Sequence, residues 1–116
     1  MIKKLIAYLT SYFSEEGLFV GMEAPSDLSG YVLIDQTASS TTNRITTTTV
    51  AVQSYGKSLV DALDLNESVK AAMFGFAAEN EIASVRLETD YNFTNTATKQ
   101  YRWQAVYQIT HYLGGN

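Results

Sequence analysis

The chain contains no cysteine, which removes disulfides, thiolate metal ligands and a cysteine nucleophile together. His111 is its only histidine, so a catalytic triad or metal site built on paired imidazoles has no partner to draw on. Charged residues make up 17% of the chain, below the roughly 25% usual in soluble domains. No apolar run approaches the length of about 20 residues needed to cross a bilayer, so no membrane partner is expected. Bases are scattered, with Lys3 and Lys4 the only adjacent pair, and the net charge is −4. Binding to a phosphate backbone needs clustered Lys or Arg, so direct nucleic-acid binding is not expected. The lack of thiols reads as intracellular synthesis. Met1 to Leu9 has two lysines before an apolar run, but Thr10 and Ser11 interrupt it and no small-residue cleavage site follows. It reads as a mature helix.

What is present is apolar or neutral polar. At 116 residues with 46% apolar content, the chain is expected to form one domain with a single core. Thr, Ser, Asn, Gln and Tyr take the place of the missing charge. A neutral polar surface guards poorly against association, which favours an oligomer or packed assembly.

The clearest pattern lies near the end. Tyr101, Trp103, Ala105, Tyr107 and Ile109 alternate with Arg102, Gln104, Val106, Gln108 and Thr110, a period of two that predicts a long strand over Lys99–Tyr112. Its aromatic face is expected beneath helices, leaving the polar face for contact with another protein. At the other end, Ile2, Leu5, Ile6, Leu9, Tyr12 and Phe13 recur at helical spacing and predict an amphipathic helix over about residues 1–14, ended by Glu15-Glu16-Gly17. Leu18–Met22 reads as a short strand, Ala24–Gly30 with the sole proline as a loop, and Tyr31–Gln36 as a strand. Ala38–Asn43 reads as a flexible polar connection, and Arg44–Tyr55, rich in β-branched threonine, as a third strand. Ser58-Leu-Val-Asp61 is a capping-box variant opening a helix to about Phe76, with Leu59, Ala62, Leu63, Val69, Met73 and Phe76 on its buried stripe. Ile82–Phe93 reads as a strand with Ala83, Val85 and Leu87 on one face, Asn92–Thr98 as a turn, and Gly114–Asn116 as a loose end. The order α-β-β-β-α-β-β predicts an α+β fold: a mostly antiparallel sheet with two helices on one face.

Signs of chemistry are sparse. Gly56-Lys57-Ser58 sits between strand and helix, as the end of a phosphate-binding loop does, but Ala51 stands where that motif's first glycine belongs. A turn followed by a helix cap explains it. The carboxylates at Asp61, Asp64 and Glu67, interleaved with Lys57 and Lys70, describe a solvated helix face. Those at Glu15-Glu16, Glu79-Glu81 and Glu88-Asp90 are no better gathered, so no enzyme activity, metal or cofactor is expected. Interaction remains. The contact residues expected are Thr37, Ser39, Ser40, Thr41, Thr42 and Asn43, the adjoining Arg44, Thr46 and Thr48, and the two arginines Arg86 and Arg102. Arginine is favoured at interfaces because its planar fork pairs with carboxylates and carbonyls. The threonine strand reads equally as an ordinary solvated sheet face.

The layout resembles that of the small tail-terminator, or tail-completion, proteins of long-tailed bacteriophages and prophages, some of which are labelled minor capsid proteins. The likeness runs through the starting helix, Leu18-Phe-Val, the Pro25 loop and Tyr31-Val-Leu-Ile. It continues through Val50-Ala-Val-Gln-Ser-Tyr-Gly56, the helix beginning Lys57-Ser-Leu-Val-Asp-Ala62, and the Tyr101-Arg102-Trp103 strand. The resemblance implies a virion structural protein, made in the host cytoplasm, that forms a homohexameric ring on the head-proximal end of the tail tube. Such a ring stops tube polymerisation and presents a surface to the head connector, so its partners are itself, the tube protein and a head-completion protein. The alternatives are another head–tail connector or tube component, or an unrelated α+β module binding a small ligand or sugar through Tyr101, Trp103 and Tyr107.

Overall fold

In a computed structural model, residues 1–26 and 30–112 are described. The loop expected at Ala24–Gly30 therefore falls partly outside the described residues, and the loose end at Gly114–Asn116 wholly so. The elements follow in the order α1 (Ile2–Tyr12), a 3₁₀ turn (Ser14–Glu16), β1 (Phe19–Gly21), β2 (Tyr31–Thr42), β3 (Ile45–Gly56), α2 (Leu59–Phe76), β4 (Ile82–Asn92) and β5 (Tyr101–Tyr112). The fold is α+β, with a five-stranded sheet in the spatial order β1-β2-β3-β5-β4. Every strand pairing is antiparallel except the short β1–β2 contact.

Gly17 ends the first helical segment at φ +64°, a left-handed conformation that costs glycine little. Leu5 and Leu9 of α1 and Phe13 just after it are buried as the spacing predicts, but Tyr12 is exposed. Tyr8 takes over the seam with α2 instead. Its hydroxyl donates to the Ala72 carbonyl at 2.6 Å, its ring lies 5.2 Å from that of Phe76, and a side chain at Gly75 would collide with the hydroxyl.

Helix α2 begins as the capping box predicts, with the Ser58 hydroxyl accepting from the Asp61 N–H at 3.1 Å. Its buried stripe is Ala62, Asn66, Val69, Ala72, Met73 and Phe76. Leu59 is exposed and Leu63 half-buried, because the helix packs on the sheet one step round from the expected face. Gly56 sets the approach: a Cβ there would lie 2.6 Å from the Ala62 nitrogen, so the strand end and helix start touch through backbone. The turn-and-cap reading of Gly56-Lys57-Ser58 has this contact behind it.

Both helices share one core with the sheet. Leu5, Leu9, Phe13, Val69, Ala72, Met73 and Phe76 pack with Val32, Ile34, Val50, Val52, Ala105, Tyr107 and Ile109. Each large apolar side chain so buried contributes roughly 1.5–3 kcal/mol before entropy is counted. The closing strand thus lies at the sheet's interior, flanked by β3 and β4. Its aromatic face divides: Tyr107 is buried, whereas Trp103 and Tyr101 are half-buried towards the sheet end.

Two expectations need correction. Ala38–Asn43 is no flexible connection: β2 continues through Thr42, in register with β3, after a bulge between Gln36 and Ala38. The alternation expected along β4 is broken by register shifts at Ile82/Ser84 and Leu87/Thr89, so Ala83 and Leu87 are exposed while Val85 is half-buried.

Candidate functional site

The hairpin turn between β2 and β3 is two residues long, with Asn43 at φ 52° and Arg44 at φ 65°. Two successive positive φ values are the mark of a type I′ turn, whose twist matches that of the flanking strands. Asparagine suits that backbone. Arginine does not, and both residues stand exposed at the tip.

Behind the tip, hydroxyls ladder across the hairpin. Thr41 and Thr46 approach to 2.8 Å, Ser39 and Thr48 to 3.4 Å, and the Thr37 hydroxyl donates to the Thr49 carbonyl at 3.3 Å. Thr37, Ser39, Ser40, Thr41 and Thr42 are exposed, as a contact surface needs. Thr46 and Thr48 are not: they are 5% and 2% exposed, on the helix-covered face of a central strand. Thr48 is also 3.0 Å from the His111 imidazole, with β5 running beside β3 to the tip. These two threonines hold the sheet together rather than present it to a partner.

The two arginines lie elsewhere. Arg86, on β4, donates one nitrogen to Gln108 at 2.9 Å and to Glu88 at 3.0 Å, and its side chain remains mostly exposed. Arg102 sits ten positions along β5 from Tyr112, the partner of Ile45, hence about 33 Å from the hairpin tip. It is fixed internally, donating to the Phe93 carbonyl at 2.6 Å and the Tyr55 hydroxyl at 3.2 Å, with its guanidinium 4.5 Å from the Phe93 ring centre. The structure therefore brings Thr37–Arg44 together and sets Arg86 and Arg102 apart from them.

The helix-free face carries a polar network. The Tyr55 hydroxyl donates to Gln53, the Gln53 amide donates to Gln104 at 2.7 Å, and Gln104 in turn donates to the Tyr91 hydroxyl. Gln104 is buried by this chain of bonds despite lying on the face without helices. Farther along, Thr47, Thr49, Gln108 and Thr110 make the middle of that face polar, with Asp35 at the β2 side and the Arg86–Glu88 pair at the β4 side.

The sheet edges were not foreseen from the sequence. Among the described residues β1 pairs only with Tyr31, Val32 and Leu33, so β2 from Ile34 to Thr42 has a neighbour on one side only. Among the described residues strand β4 is likewise unpaired along its outer side. Exposed edges usually carry lysine or proline that blocks further pairing; the β2 edge from Gln36 to Thr42 has neither, and no charge. Beside the β4 edge, Phe74 (78% exposed), Leu87 and Val85 line an apolar groove of about 420 Å³ against α2. On its rim the Lys70 ammonium lies 2.6 Å from Glu67 and 3.5 Å from Asp90, contacts that raise its pKa, Glu67 first.

Among the described residues no three His, Asp or Glu side chains converge as a metal site would need, and no helix is long and apolar enough to cross a membrane. No protein-family model and no curated protein matches the chain.

Proposed function

We propose that the protein is a ring-forming virion component of a long-tailed phage or prophage, a tail terminator that caps the tube, stops its growth and offers a surface for head joining. The reading rests on the resemblance in element order, and one observation carries it: the two open sheet edges. Because β2–β3, β3–β5 and β5–β4 are all antiparallel, β4 runs opposite to β2. In copies related by rotation about an axis along the strands, β4 of one copy meets β2 of the next antiparallel. Such a heterologous contact repeats, and it closes into a ring when the rotation divides a full turn. The uncharged β2 edge from Gln36 to Thr42, beside the single charge of Arg44 at the tip, adds a surface that costs little to desolvate.

The test is addition of the purified protein to polymerising tail tubes, followed by negative-stain imaging. A terminator leaves a ring at one tube end and fixes tube length, and its deletion gives overlong tails. Headless tails of normal length after deletion would assign the chain to the connector instead. A strict monomer with no affinity for tubes would sink both.

A further inference from the structure

We propose that the cavity at the end of the sheet where α2 starts binds a small organic oxyanion carried on a flat aromatic body. The cavity has a volume of about 590 Å³ and lies over the ends of β2, β3 and β5. Among the described residues Lys57 and Lys99 line it, no carboxylate does, and neither lysine has an ion-pair partner. Two lysines on one cavity with no ion pair among the described residues stand out in a chain whose net charge is −4. Arg102 adds a third cation behind the Tyr55 ring, 5.8 Å from its centre.

The scaffold holds these groups in place. The Asn95 side chain accepts from the Ala97 and Thr98 N–H groups at 3.1 and 3.3 Å, and the Asn95 and Gln100 backbones bond each other both ways at 3.1 Å. The turn so built carries Lys99 at φ +55°, where glycine or asparagine would be less strained. A strained lysine is hard to justify by the turn alone; its place in the cavity lining supplies a reason. On the opposite side Gly56, next to Lys57, packs its backbone against Asp61 and Ala62 at the start of α2.

The aromatic half of the ligand follows from the tyrosines. Tyr31 and Tyr55 stack with centres 4.5 Å apart and planes 17° from parallel, and half-buried Tyr101, which pairs with Gly56 and so points to the other face of the sheet, lines the cavity from its far side. Tyr31 is 5% exposed, and burial, helped by the neighbouring Tyr55 phenol, raises its pKa against the opposing pull of Gln100 and Arg102. A phenol kept protonated is a hydrogen-bond donor, which an oxyanion needs. Flat rings at the cavity wall favour a flat body on the ligand. None of this depends on ring assembly.

Amide NMR titrations with phenyl phosphate, inorganic phosphate and benzyl alcohol test the proposal. Phenyl phosphate should give saturable shifts at Tyr31, Lys57, Lys99 and Tyr101, weakened by added salt, with the other two probes at least about fivefold weaker. The double variant Lys57→Gln/Lys99→Asn should bind phenyl phosphate at least about tenfold more weakly, asparagine being chosen because it tolerates the left-handed backbone. Should that variant fold poorly, Tyr31→Phe offers an independent check and should weaken binding about fivefold. Absence of saturable shifts, unchanged binding in the variants, or equal binding of inorganic phosphate or benzyl alcohol would overturn the assignment.

Discussion

Tyr107 carries its hydroxyl into the layer between α2 and the sheet, where no described group bonds it, and Ser54 and Asn66 leave unpaired oxygens in the same layer. Burial raises the Tyr107 pKa strongly, with Asp90 and Glu67 adding to the rise, so the phenol is neutral at any ordinary pH. A buried polar atom without a partner costs about 1–3 kcal/mol in desolvation. Tyr107→Phe removes that atom and keeps the ring, so urea unfolding should show stability unchanged or raised by up to about 1 kcal/mol; a clear loss would reveal a partner for the hydroxyl. His111 gives a second test. Burial lowers its pKa, the nearby N-terminal ammonium lowers it further, and the Tyr112 backbone and Glu81 oppose the shift. Because the folded value lies below the unfolded 6.5, the unfolded chain binds the proton more readily. The contribution of neutral His111 is therefore whole above pH 6.5 and declines as pH falls from there towards the depressed value. Urea midpoints at pH 7.5 and 5.5 should differ more for the parent than for His111→Gln, and identical differences would refute the linkage.

At the scale of elements, the hairpin turn joins folding to assembly. Arg44 occupies a left-handed position that costs a non-glycine residue about 1 kcal/mol or more, and Asn-Gly is the preferred sequence for this turn. Arg44→Gly should thus raise stability by about 0.5–1 kcal/mol in urea unfolding while removing the charge at the tip. If Arg44 serves contact, the stabilised variant should cap tubes less well; full capping activity would release Arg44 from that role. The same hairpin shows what the sequence could reveal. Period-two alternation marks β5, and Ser58 marks the start of α2, because both signals are local. Ala38–Thr42 looks like a loop because small polar residues dominate it, yet each residue finds a β3 partner that no local signal announces. The burial of Thr46 and Thr48 is hidden for a related reason: alternation separates two faces but does not tell which one the helices cover. Asn66, at a helical spacing that fits the core, is passed over as polar although it is fully buried and donates to Asp90 at 3.3 Å.

For the whole molecule the decisive question is whether the two open edges meet. Strand adjacency decides which edges are open, and adjacency is a long-range property: β5 inserts between β3 and β4 although it comes last in the chain. The absence of cysteine turns this into a clean experiment, since any engineered thiol is unique. Ser40→Cys lies on the β2 edge, and Ser84→Cys or Thr89→Cys lies on the β4 edge, all three on the helix-free face by their pairing with Thr47, Thr110 and Val106. Side chains on neighbouring antiparallel strands stand about 4.5–5.5 Å apart at Cβ, close to disulfide reach. Mild oxidation of protein assembled on tubes should give, for one of the two double variants, a ladder of covalent oligomers ending in a single closed species. Each single variant should stay uncrosslinked, because a head-to-tail contact never brings like edges together. If Ser40→Cys alone gave dimers as readily as the pairs, the contact would be two-fold and could not build a ring.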